Sequence, residues 1–150
     1  MRGLIIKTSK FYSKDREKST WPSGILKEST FEKGAREFVN VVTVLVCIEK
    51  GDKEDYIDEL VARVKSLNDQ FYKLSHIVVV PFGHLSHNLE GPIRAKSLID
   101  ELAQQLKKAK FNVDLISFGT HKDLSFDIPG QPAEVSYFEF PYSGKKPEIN

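Results

Sequence analysis

Three short stretches gather the residue types that do chemistry. The first is Pro81-Phe82-Gly83-His84-Leu85-Ser86-His87, directly after the apolar run Ile77 to Val80. A loop at a strand's end is where α/β sheets place ligands; Gly83 lets the backbone approach a bound group, and His84 can carry or orient a proton near neutral pH. The second is Phe118-Gly119-Thr120-His121-Lys122, where a fixed lysine could contact a carbonyl, a phosphate or a water. The third is Glu134, behind Pro129-Gly130-Gln131-Pro132-Ala133, a carboxylate able to accept hydrogen bonds from an amino group. Each has a plain alternative: two loop histidines, a surface lysine on a hairpin, an edge-strand glutamate with no ligand. His84 and His87 lack the helical spacing and flanking Glu of a zinc protease, and no Cys or carboxylate cluster completes a shell, so no metal is expected. There is no G-x-S-x-G elbow, no G-x-x-x-x-G-K-[ST] loop and no G-x-G-x-x-G turn. Serine-hydrolase and nucleotide-loop readings therefore lose their usual support, and no cofactor is expected.

Positioning such groups needs a scaffold, and 150 residues with 40% hydrophobics are enough for one compact domain without disulfide or metal staples. With 22 Lys+Arg against 21 Asp+Glu the net charge is +1, so no global positive field exists to hold a long stretch of nucleic acid. Any such contact must be local. Cys47 is the sole cysteine, lies among valines, and reads as a small buried hydrophobe in a reducing compartment. The longest nearly pure apolar run, Val41 to Ile48, is far short of a bilayer span, and the segment Met1 to Lys7 has no signal-peptide core. A soluble, cytoplasmic protein with no membrane contact is expected.

The elements follow from periodicity. Arg2 to Ser9, around Leu4-Ile5-Ile6, reads as a first buried strand. Lys10 to Glu37 is dense in Lys, Glu and Ser; Trp21-Pro22-Ser23-Gly24 is its strong turn signal, and short strands are expected around Phe11-Tyr12 and Ile25-Leu26. Phe38 to Lys50 has the β-branched composition of a central strand. Asp52 is a candidate N-cap for a helix whose apolar face carries Ile57, Leu60, Val64 and Leu67. Ile77 to Val80 is a buried strand ended by Pro81. Gly91-Pro92 opens a second helix with Ile93, Leu98, Ile99, Leu102 and Leu106 on its apolar face. Strands are expected over Val113 to Phe118, Leu124 to Ile128 and Val135 to Phe140, the last burying Phe138 and Phe140. The class is α/β, a mixed β-sheet layered with two main helices on one side. Residues 1–141 form the domain, and 142–150 read as a linker or tail.

Read in order, Leu4-Ile5-Ile6, Ile48-Glu49-Lys50, Pro81-Phe82-Gly83-His84-Leu85-Ser86, Phe111-Asn112-Val113, Phe118-Gly119 with Lys122, and Pro132-Ala133-Glu134 resemble the N-terminal editing domain of archaeal threonyl-tRNA synthetase, with the fold of D-aminoacyl-tRNA deacylases. The resemblance implies hydrolysis of serine wrongly attached to threonine tRNA. It implies a pocket made by Ile48, Phe82, Gly83 and Phe118, with polar contacts from His84, Lys122 and Glu134. His84 and Lys122 are then the candidate catalytic groups, while the 2′-hydroxyl of the terminal adenosine assists a water. The implied partners are the acceptor end of threonine tRNA carrying serine, a second copy in a homodimer, and the rest of a synthetase chain. Many relatives carry Ala at the place of Gly83, and an aromatic pair where this chain has Thr120-His121. Alternatives are a D-aminoacyl-tRNA deacylase, or a module that binds the tRNA end or an amino acid without turnover.

Overall fold

The computed structural model describes residues 1–142; the expected tail falls almost wholly on residues 143–150, outside the described residues. In chain order the elements are β1 (Arg2–Lys18), α1 (Ile25–Glu28), β2 (Ala35–Cys47), α2 (Asp55–Leu67), β3 (His76–Pro81), α3 (Pro92–Lys108), β4 (Asn112–Leu115), β5 (Thr120–Asp127) and β6 (Val135–Glu139). They build a six-stranded sheet of order β4-β3-β2-β1-β5, with β6 also beside β1. The β2–β3 and β3–β4 pairs are parallel, and every pair made by β1 is antiparallel. Parallel neighbours need a crossover, which α2 and α3 supply. Both helices pack on one face, with Leu60 and Val64 of α2 and Leu98 and Leu102 of α3 against Val44, Val46, Ile77 and Val79. On the other face Ile6, Val41, Leu45, Val78 and Val80 cluster with Phe11, Leu124 and Phe126. Burial on both faces explains why β2 and β3 read as continuous apolar runs. The mixed α/β architecture is the one expected.

The largest departure is β1, which continues for 17 residues rather than ending at Ser9. Its outer half does alternate, but the inward positions are Phe11, Ser13 and Asp15, all buried, so two of the three are polar and the apolar pattern disappears. Ile25-Leu26 belongs to a one-turn helix rather than a strand, with Ile25 buried and Leu26 exposed. β2 starts earlier than expected, at Ala35, and stops at Cys47, leaving Ile48 to Lys50 beyond it. Asp52 is not the cap of α2. Its carboxylate is buried, takes the α-ammonium of Met1, and accepts the Glu49 N–H at 2.7 Å. The expected strand from Val113 is shorter, and the one placed at Leu124 starts at Thr120, so Thr120 to Lys122 are strand rather than loop. Ile93 does not join the core; in the first turn of α3 it is 73% exposed. In β6, Phe138 and Phe140 are buried as expected.

The β1–β2 ladder pairs Thr8 with Val41 and Lys10 with Val39, skipping Ser9 opposite Asn40. Asn40 has φ 54°, in the left-handed region. The ribbon bends there. On the far side of the bend β1 exchanges its neighbour, β6 pairing with Arg2 to Ile6 and β5 with Lys10 to Lys18. Asn tolerates this conformation, whereas a β-branched residue meets its full steric cost of about 1–2 kcal/mol. Asn40→Gly should therefore leave urea unfolding within experimental error of the parent, and Asn40→Val should lower stability by about that cost.

Candidate active site

The carboxyl ends of the parallel strands β2 and β3 open on a cavity of about 330 Å³, the position where open α/β sheets receive ligands. Val46, Cys47 and Ile48 supply one part of the wall, Phe82, Gly83 and His84 another, Phe118 to Lys122 a third, and Pro92, Ala95 and Ile99 of α3 a fourth. These pieces are far apart in the ladder. Arg2 pairs with Cys47 and Asp15 with Lys122, so a straight β1 would separate them by roughly 40 Å at about 3.3 Å per residue. Both line one cavity, so β1 does not run straight between them; its ladder with β2 is interrupted within that span at Ser9 and Asn40, and its register against β5 shifts just past it, between Asp15 and Glu17. Local ties then hold each wall. Ser19 N–H donates to the Gly119 carbonyl at 2.8 Å, and Phe118 N–H to Thr30 Oγ1 at 3.0 Å. On the other side Phe82 N–H reaches the Val46 carbonyl at 2.9 Å, and Glu90 N–H the Ile48 carbonyl at 3.1 Å. Ser86 Oγ donates to Glu49 Oε2 at 2.6 Å. Burial pushes the Glu49 carboxyl up, but the hydrogen bonds from Ser86, Arg2 and the Met1 ammonium outweigh it and hold the group below the ordinary range.

Lys122 is half-buried, and its Nζ donates to the Thr120 carbonyl at 3.1 Å. Burial pushes its pKa down, while the cross-strand Asp15 pushes it back up. Asp15 is itself buried and fully engaged: Oδ1 accepts from Thr120 Oγ1 at 2.9 Å and Oδ2 from Glu32 N–H at 2.9 Å. An ammonium has further donors after one is used, so Lys122 can still hold a water or a carbonyl oxygen. His84 is exposed on the short turn Gly83–Leu85, its ring edge-on to Phe82 at 5.0 Å between centroids. Cys47 is buried at the cavity wall and its thiol is pushed up by that burial, which disfavours the thiolate a nucleophile needs. A Cβ added at Gly83 would meet only Leu89 methyl carbons, at 3.6 and 3.8 Å, so alanine would fit there.

Six of the seven site residues read from the sequence, Ile48, Phe82, Gly83, His84, Phe118 and Lys122, line this one cavity. Glu134 does not, and within one chain the expectation that it joins the pocket is corrected. It is 4% exposed just before β6, with Oε1 3.9 Å from Lys7 Nζ and Oε2 without a hydrogen-bond partner among the described residues. Nearby, Tyr72 donates to the Ala133 carbonyl at 2.6 Å, and burial together with Glu134 raises its pKa to about 12. His87 is exposed and does not line the cavity. Asp15, Trp21 and Leu89 were not legible as site residues. Asp15 is masked by the polar inward row of β1, and Trp21 carried only a turn signal. No group of three or more His, Cys, Asp or Glu that could hold a metal occurs among the described residues, and no helix among them is long and apolar enough to cross a membrane.

A mixed sheet with both long helices on one face and a cavity at its strand ends defines an α/β domain with the deacylase-like fold. The model of the archaea-specific editing domain of threonyl-tRNA synthetase matches residues 1–137, and the chain belongs to that family. It is similar to a threonine–tRNA ligase of Thermofilum pendens, 32% identical over 136 residues, covering 88% of this chain and 21% of the ligase. A threonine–tRNA ligase of Nanoarchaeum equitans is 28% identical and covers 100% of this chain and 23% of the ligase. The chain thus spans about a fifth of the length of these relatives. Among solved structures, the c-Myc DNA unwinding element binding protein superposes with a TM-score of 0.67 over 95% of this chain and 100% of that one, at 14% identity. That likeness shows the fold.

Two outcomes test the environment of Lys122. Its folded pKa lies below its unfolded one, so between those two values the folded state binds fewer protons and stability rises with pH. Below the folded value the buried charge opposes folding in full. Lys122→Met should therefore be at least as stable as the parent in urea at pH 7, and a clear loss would mean the ammonium is a structural support. Asp15→Asn removes the charge that holds the lysine pKa up, so a heteronuclear NMR titration of the Lys122 side chain should move to lower pH.

Proposed function

We propose that this cavity hydrolyses the ester joining L-serine to the 3′ end of threonine tRNA, proofreading a mischarged product in the cytoplasm as part of a synthetase chain. The observation that supports this best is Lys122, a partly desolvated ammonium at the wall of a ligand-sized cavity whose one thiol is held protonated. Among the described residues no serine, threonine or cysteine of the lining is hydrogen-bonded to a histidine, so the site suits an ester already reactive enough to be cleaved by water. Lys122 holds the water or the carbonyl oxygen, and Phe82, Gly83 and Phe118 fix the aminoacyl group. Orientation alone can supply several kcal/mol. The 2′-hydroxyl beside the ester assists the attacking water. Water adds to the carbonyl carbon, the bond to the ribose 3′-oxygen breaks, and that oxygen leaves with a proton, giving free serine and an intact tRNA end. His84, which lines the cavity and is exposed, would exchange that proton with solvent. A +1 chain can do this because only the acceptor end needs gripping. The reading includes a homodimer, and Glu134, buried beside Lys7, has no role in it.

The test is ester loss from L-seryl threonine tRNA and from D-aminoacyl tRNA. The proposal requires the L-seryl ester to be cleaved; preference for the D-ester would assign the rival deacylase activity, and binding without turnover a non-catalytic module. Lys122→Met should lose most turnover while remaining folded. Substrate ending in 2′-deoxyadenosine should bind within a few-fold of the natural end yet hardly react. Normal cleavage of the deoxy substrate would instead require a protein general base, and His84→Ala would then be the decisive variant.

A further inference from the structure

Trp21 is the chain's single tryptophan, it lines the mouth of the cavity, and it is 69% exposed. One exposed apolar side chain means little by itself. What sets Trp21 apart is that its backbone is clamped while its ring is not. On one side Ser19 N–H donates to the Gly119 carbonyl at 2.8 Å, and Ser19 Oγ to the carbonyl of Trp21 itself at 2.9 Å. On the other, Ile25 N–H reaches the Pro22 carbonyl at 3.1 Å, and Ile25 is buried against Gly119. That contact is so close that a Cβ on Gly119, whose φ is +74°, would lie 2.9 Å from Ile25 Cγ1. The segment is thus fastened to the cavity wall that carries Lys122, and it holds an indole in water where folding gains little from it.

We infer that Trp21 is the platform on which the base of the ester-bearing nucleotide stacks. This rests on the proposed function, which places the aminoacyl ester inside the cavity. At about 330 Å³ the cavity is at the small end of ligand pockets, which run from about 300 to 1,000 Å³. The aminoacyl group and ribose occupy it, and the base projects at the mouth. An exposed aromatic face suits any base, since stacking uses the π-face rather than hydrogen-bonding edges. The lining suits an RNA end: Lys122 brings an ammonium, His84 and His121 bring ring nitrogens, and the one carboxylate in it, Glu90, faces Arg94 Nε at 3.5 Å.

Because Trp21 is the sole tryptophan, its fluorescence reports on the ring directly. The intact chain is titrated with uncharged threonine tRNA and with the same tRNA lacking its terminal nucleotide. In parallel, the half-saturating concentration for seryl-ester hydrolysis is measured for the parent, Trp21→Ala and Trp21→Phe. Saturable quenching by the intact tRNA alone is expected, together with a rise in half-saturation of about 5- to 150-fold for Trp21→Ala, the range that stacking one base on an aromatic ring supplies. Trp21→Phe should restore most of it. If both tRNAs quench equally, or if hydrolysis proceeds with no quenching and unchanged half-saturation in Trp21→Ala, the platform is wrong and the hydrolase reading stands. Quenching by the intact tRNA without any ester cleavage supports the platform and overturns the hydrolase reading. Fluorescence that changes with protein concentration in the absence of RNA means a second copy covers the ring, and overturns the inference.

Discussion

The ladder between β1 and β2 skips Ser9 opposite Asn40, and this interruption lies between the two halves of β1 whose partners share the cavity. Before the break the two strands run with the helices on one face; after it they turn so that Lys122, paired with Asp15, shares a wall with Cys47, paired with Arg2. The conformational cost at Asn40 is local, and burial beyond the bend offsets it. Phe11, Leu124 and Phe126 cover Ile6, Val41, Leu45, Val78 and Val80, which would otherwise face water. The second core and the cavity both depend on β1 not running straight.

Buried polar groups mark where the fold is fastened. Thr8 and Thr43 share a 2.8 Å hydrogen bond beside the bend. Asp52 collects the Met1 ammonium and the Glu49 amide at the carboxyl end of β2, and Glu49 in turn holds Ser86 of the loop after β3. Asp15 joins β1, β5 and the Glu32 amide. A carboxylate oxygen out of water without a donor is costly, and these three carboxylates, unlike Glu134, find donors in segments distant in sequence. Lys122 is the opposite case. Its ammonium is partly desolvated with one carbonyl partner, a placement that costs stability and leaves donors for a ligand.

Legibility in the sequence followed the chemistry of burial. β2, β3, α2 and α3 were readable because their buried positions are apolar at the spacing each element imposes. The outer half of β1 was not, because Ser13 and Asp15 occupy inward positions that pattern reading assigns to solvent. Asp52 failed as a cap for the same reason: a carboxylate before a helix reads as an N-cap, and only the fold shows that it faces the chain's first residue. The cavity residues on the Phe82–His84 and Phe118–Lys122 segments were legible as strand-end clusters with Gly beside a reactive side chain. Glu134 was legible as a residue type in the right order, yet it is buried elsewhere, since sequence order carries no information on which cavity a strand end faces. Trp21 lay in the stretch where neither periodicity applied.

Under the proposed function, serine is selected by how the site holds water rather than by exclusion of the larger amino acid. Serine and threonine differ by one methyl, and a methylene-sized difference is worth only about 1–3 kcal/mol in a pocket. If Phe82, Gly83 and Phe118 hold the aminoacyl group while Lys122 orders the attacking water, the threonine methyl displaces that water without preventing binding. The direct measurement pairs equilibrium binding of non-hydrolysable L-seryl and L-threonyl analogues of the tRNA end with single-turnover cleavage of the two esters. Similar affinities with much faster cleavage of the seryl ester are predicted. Failure of the threonyl analogue to bind would show that the cavity is a size sieve, and would contradict the role given to Lys122 and its water.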